Sequence, residues 1–100
     1  VLKIQKKLHE KRIKNPYYHA LLADEAFYNG DTQTAIRHFK KAIRLDKSIH
    51  DFHFGLAKVY YRTNNLKLAK KAMARAIHLN KGRHVEEQYI AKLNFLKKQN

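Results

Sequence analysis

The sequence predicts an all-α fold, a short right-handed α-solenoid of helix-turn-helix repeats, and three observations predict it. The pairs Leu22-Ala23, Leu56-Ala57 and Ile90-Ala91 stand 34 residues apart, and a fixed period of that size marks a repeat architecture. The same offset relates Tyr18 to Phe52, His19 to His53, Phe27 to Tyr61, Ala35 to Ala69, Ala42 to Ala76, Ile43 to Ile77 and Leu45 to Leu79. Within each period apolar residues return at steps of three and four, the spacing of a helix face rather than of a strand: Phe52, Leu56 and Tyr60, then Ala69, Ala72, Met73, Ala76 and Ile77. Gly30 and Asn64 occupy equivalent places between the helices, and both residue types tolerate the left-handed backbone that ends one helix and opens a tight turn.

Each element follows in order. Residues 1–14 are expected to form a leading helix, its Leu2, Ile4, Leu8 and Ile13 placed where the second helix of a preceding repeat would be. Asn15 before Pro16 suits an N-cap followed by the first helical position, and it opens a first repeat over 16–47. Ser48 with Asp51 three residues on reads as a capping box for a second repeat over 50–81. A capping helix over 84–98 carries one apolar stripe of Tyr89, Ile90, Leu93 and Leu96. A chain of this length buries roughly two thirds of its unfolded surface, and about three repeats are needed to close a solenoid core. The flanking helices therefore complete a single domain. Half-repeats at both ends and a first residue that is Val lead to the expectation of a piece of a longer protein.

A 34-residue helix-turn-helix with this pattern resembles the tetratricopeptide repeat family, whose signature is W-x2-L-G-x2-Y, then A-x3-F, then P. The second copy reads His53-x2-Leu56-Ala57-x2-Tyr60, Ala69-x3-Met73 and Lys81; the first reads His19-x2-Leu22-Ala23-x2-Ala26, Ala35-x3-Phe39 and Lys47. Trp has become His, Gly has become Ala and the closing Pro has become Lys, while the period and both small-residue columns are kept. The resemblance implies a scaffold whose first helices line a concave face and whose second helices line a convex one, with a protein or peptide partner held in the concave groove.

Charge is the second strong signal: 22 Lys and Arg against 8 Asp and Glu give a net charge of +14. Residues 16–29 carry only Asp24 and Glu25, whereas the second helices hold Arg37, Lys40, Lys41, Arg44, Lys47, Lys67, Lys70, Lys71 and Arg75. On the implied fold the convex back is basic. Arg37 above Lys71, Lys41 above Arg75, and Arg44 above His78 would form cationic columns there. One reading is a solvated surface that keeps the chain soluble; the other is contact with a polyanion, either nucleic acid or an anionic membrane surface. Zinc-finger spacing, an RRM aromatic signature and a glycine-rich phosphate loop are all missing from the sequence.

The same column logic applied to the implied concave face gives Ala20, Phe54 and Gln88; Asp24, Lys58 and Lys92; Phe27, Tyr61 and Phe95; and Tyr28, Arg62 and Leu96. Aromatic residues and Arg are the commonest interface anchors. Tyr17, Asp24, Tyr28, Phe54, Lys58, Tyr61, Arg62 and Lys92 are the expected partner contacts. Phe27, Tyr61 and Phe95 can equally pack between neighbouring first helices. The family members that clamp a C-terminal carboxylate use Lys and Asn where this chain has Ala20, Asp24 and Phe54, so that clamp is not reproduced. The expected partner is acidic or amphipathic.

Seven histidines raise the question of a metal or a catalytic base. His19 and His53 fall where the family places a large packed ring, which implies buried structural imidazoles; His9, His38, His78 and His84 read as exposed and scattered. His50 and His53 beside Asp51 could pinch a divalent ion, but no second pair completes a coordination sphere. Ser48 is the only serine, cysteine is absent, and the carboxylates are dispersed apart from sequence neighbours that point in different directions on a helix. The reading is a non-enzymatic scaffold with no cofactor and no metal. No apolar run approaches the roughly 20 residues of a membrane span.

Overall fold

The computed structural model describes residues 10–80 and 86–98. Those residues form a helical turn over 10–13 followed by five α-helices, with no strand among them: α1 (Pro16–Tyr28), α2 (Thr32–Leu45), α3 (His50–Arg62), α4 (Leu66–Leu79) and α5 (Glu86–Lys98). The expected leading-helix contacts of Leu2, Ile4 and Leu8, the Lys81 column position, and His9 and His84 lie outside the described residues.

Local chemistry sets the boundaries. The Asn15 side chain accepts from the Tyr17 amide at 2.9 Å, and Pro16 follows in the first turn, where its missing N–H is not needed. Gly30 and Asn64 both adopt positive φ, 84° and 63°. Around each, paired bonds close the helix end: Gly30 N–H to the Phe27 carbonyl and Asp31 N–H to that of Ala26, then Asn64 N–H to Tyr61 and Asn65 N–H to Tyr60. This is one Schellman motif built twice. Asp31 then caps α2 by accepting from the Thr34 amide at 3.1 Å.

The capping box expected of Ser48 and Asp51 does not form. Asp46 captures Ser48 first, its Oδ1 accepting from both the Ser48 amide at 3.0 Å and the Ser48 hydroxyl at 2.6 Å. The N-cap position of α3 falls to Ile49, which has no side-chain acceptor. A local Asx turn has outcompeted the cap.

Consecutive helices pack on one another, α1 on α2, α2 on α3, α3 on α4 and α4 on α5. Close approach depends on alanine: Ala23, Ala35, Ala42, Ala69 and Ala76 are completely buried. Phe39, Phe52, Leu56, Val59, Tyr60 and Met73 fill the space between, each contributing about 1.5–3 kcal/mol by burial. α3 is the central element, with seven buried residues. Gly55 sits in its middle because a Cβ there would overlap the Phe39 ring. On α5, Tyr89 and Leu96 are buried as expected, but Ile90 is 40 % exposed. The apolar stripe of that helix is narrower than the sequence implied: Tyr89 and Leu96 turn inward, and Ile90 lies on the open side. The backbones of the second helices α2 and α4 stay apart, and α3 forms the layer beneath them.

Candidate partner-binding groove

The first helices α1, α3 and α5 share one face. Between α3 and α5, and reaching the end of α1, lies a groove of about 760 Å³ walled by Phe27, Phe54, Ala57, Tyr61, Met73, Phe95 and Leu96 with Lys58, Arg62 and Lys92 at its edge. The cations lie over ring faces. Lys58 Nζ is 5.7 Å from the centroid of Phe27 and 5.1 Å from that of Phe54, Lys92 Nζ is 5.4 Å from Phe54, and Arg62 Cζ is 4.3 Å from Phe27. Such contacts hold the charged heads near the apolar wall and reduce the entropy lost when they meet a ligand. Among the described residues no carboxylate lines this groove.

A smaller pocket of about 400 Å³ continues the face toward the start of α1, sharing Phe54 and Lys58 and adding Tyr17, Asp24 and Asp51. Tyr17 packs edge-on against Phe52 at 5.3 Å. Of the residues expected to contact a partner, Phe54, Lys58, Tyr61, Arg62 and Lys92 therefore meet in the larger groove, and Tyr17 and Asp24 stand in the smaller. Tyr28, 78 % exposed, lines neither. The two readings of the Phe27 column divide by position: Phe27 is buried in the core, while Tyr61 and Phe95 pair at 5.9 Å and remain about half open.

The sequence did not reveal the element that fixes the groove. Tyr89 stacks on Phe54 with ring centroids 4.9 Å apart, and its hydroxyl donates to Asp51 at 3.1 Å while His50 Nδ1 donates to it at 2.9 Å. Burial, followed by the Asp51 carboxylate, pushes the Tyr89 phenol well above its ordinary value, so it stays a donor. These contacts latch α5 to α3. The separation in sequence, from Asp51 to Tyr89, gives no local pattern to find.

The histidines are occupied structurally. His53 Nε2 bonds the Lys47 carbonyl and His50 bonds Tyr89, so the two rings considered for a divalent ion serve different partners. His19 is buried and bonds the Ile13 carbonyl. His38 is not scattered and exposed: it is half-buried and stacks on His19, with ring centroids 5.5 Å apart and the two Nδ1 atoms 3.3 Å apart. Because the Ile13 carbonyl can only accept, His19 Nε2 donates to it, and the two Nδ1 atoms share one proton between the stacked rings.

On the opposite side, Arg37, Arg44, Lys71 and Arg75 line a separate cleft of about 880 Å³ between α2 and α4. Lys41 stands outside its lining.

A family model for the tetratricopeptide repeat matches residues 21–86. The chain belongs to the tetratricopeptide repeat family. Comparison with curated proteins found no match. Tetratricopeptide repeats are in general protein-protein interaction modules and non-catalytic scaffolds, and the helix order seen here is theirs: first helices on the groove side, second helices behind.

Proposed function

We propose that this tetratricopeptide repeat domain holds a protein or peptide partner in the groove between α3 and α5, and that the bound segment combines apolar side chains with carboxylates. The supporting observation is the placement of Lys58, Arg62 and Lys92 over Phe27 and Phe54 in a groove that no carboxylate lines among the described residues. The rings provide desolvated contact area, and the cations at their faces are positioned to meet acidic groups. Asp24 and Asp51 at the other end of the face favour the opposite charge there, which gives the segment a direction.

Two sets of variants in one capture experiment test this. Phe54→Ala with Arg62→Ala is expected to weaken a captured partner by about 2 kcal/mol or more, the loss typical of anchors. Reversal of Arg37, Lys41, Lys71 and Arg75 to Glu is expected to leave that partner in place. Loss with the reversals and not with the groove pair favours the polyanion reading. DNA affinity would then fall by about 0.9 log units per tenfold rise in salt for each phosphate contacted.

A further inference from the structure

The cleft on the back differs from an ordinary solvated basic surface. Its two rims are cationic stripes. Arg37, Lys40 and Arg44 run along α2 at spacings of three and four, and Lys71, Arg75 and His78 run along α4 at four and three. Each stripe spans two helical turns, about 10 Å of helix. Because the backbones of α2 and α4 stay apart, the floor between them is the back of α3, where Leu56 and Tyr60 lie. Leu68 at the edge is 37 % exposed. Among the described residues no carboxylate contributes to the lining.

We propose that this cleft is a second docking surface, which takes an acidic amphipathic helix of a partner protein, its apolar stripe against Ile43 and Leu68 above the Leu56 and Tyr60 floor and its carboxylates on the two cationic rims. The proposal stands independently of the concave groove. Charge complementarity selects an anionic partner, since every charged group among the described lining residues is a cation. Shape selects among anions. A bilayer is flat and would rest on the ridges of α2 and α4, leaving the recessed floor uncovered. A nucleic acid would neutralise the rims but place sugars and phosphates over an apolar floor, using none of it. A helix with one apolar stripe between two rows of carboxylates uses both features.

The local field agrees with this placement. Burial is the main cause that holds the His53 imidazole below its ordinary value, and the Arg75 guanidinium beside it acts in the same direction, against the Lys47 carbonyl. A carboxylate seated against Arg75 offsets that field, so His53, which lines the cleft and not the concave groove, reports occupancy.

The test uses the full chain and a synthetic 14-residue probe carrying Leu along one stripe and Glu on both flanks, its scrambled counterpart, a duplex oligonucleotide and phosphatidylserine vesicles. The probe is expected to bind about tenfold or more tighter than the scrambled peptide. Arg44→Glu with Arg75→Glu should weaken it by about tenfold or more, and Phe54→Ala with Arg62→Ala should not. The His53 ring signals in an NMR titration should shift so that its protonation moves to higher pH on binding. If the double reversal disturbs folding, Arg44→Gln with Arg75→Gln and, separately, Leu68→Ser take its place. Equal binding of the scrambled peptide, tighter binding of oligonucleotide or vesicles through the same arginines, or loss of the probe with the groove pair alone would each overturn the proposal.

Discussion

His53 donates from Nε2 to the carbonyl of Lys47 at 3.1 Å, and His19 makes the equivalent bond to Ile13 at 2.8 Å one repeat earlier. Where the family signature has Trp, this chain has an imidazole that packs and also satisfies a carbonyl at the end of the preceding helical segment. His53→Phe keeps the ring volume and removes the bond. It should cost about 1–3 kcal/mol in chemical denaturation, because a carbonyl loses its partner beside a buried ring. An unchanged midpoint would show the bond to be incidental.

Stability should fall on acidification. Burial holds both His53 and His38 below the ordinary imidazole value of 6.5, and the neighbouring His19, Arg37 and Lys41 act in the same direction on His38. The unfolded chain then binds protons near 6.5 that the folded chain takes up only at lower pH. Unfolding free energy therefore rises with pH in that window. The stabilisation is complete above 6.5 and is lost as pH falls toward the folded values. Denaturant midpoints at about pH 7.5 and about pH 5 should differ in that sense, and His38→Gln with His53→Gln should flatten the difference.

Gly55→Ala would normally stabilise a helix interior, by up to about 1 kcal/mol. Here it should destabilise, because the new methyl overlaps the buried Phe39 ring and overpacking costs about 1–3 kcal/mol. Phe39→Leu in the Gly55→Ala background should recover part of the loss, a coupling that a thermal-melt double-mutant cycle reads directly.

How much of this was legible in the sequence depends on the range of each interaction. The period, the two left-handed turns at Gly30 and Asn64, the Asn15 cap and the fully buried alanines follow from residue type and spacing, and the structure reproduces them. Ser48 has two local options, donating to the Asp46 carboxylate or accepting from the free amides at the α3 N-terminus, and the nearer Asp46 wins. His38 was misread because its partner, His19, lies on another helix. The Tyr89 latch was invisible for the same reason. The back was read as cationic columns, but the gap between α2 and α4 that turns it into a cleft is a packing outcome with no sequence signature.

Tyr89→Phe should leave the stack on Phe54 intact while removing the hydroxyl that joins Asp51 and His50. The Asp51 side chain is 72 % exposed, so water replaces the lost donor and the cost should stay near about 0.5–1 kcal/mol. A larger loss in the melt, or a loosened α5 by hydrogen exchange, would assign the latch a greater share in holding the last helix.

The central claim is that a partner is held in the concave groove, and site-specific photocrosslinking tests it most directly. A benzophenone side chain placed at Tyr61, at the open edge of the groove, should capture the partner in high yield, and the same group at Lys70 on α4 should not. Phe54→Ala with Arg62→Ala should abolish the Tyr61 adduct. A partner that crosslinks equally from both positions, or a Tyr61 adduct that survives the groove variants, would contradict the account.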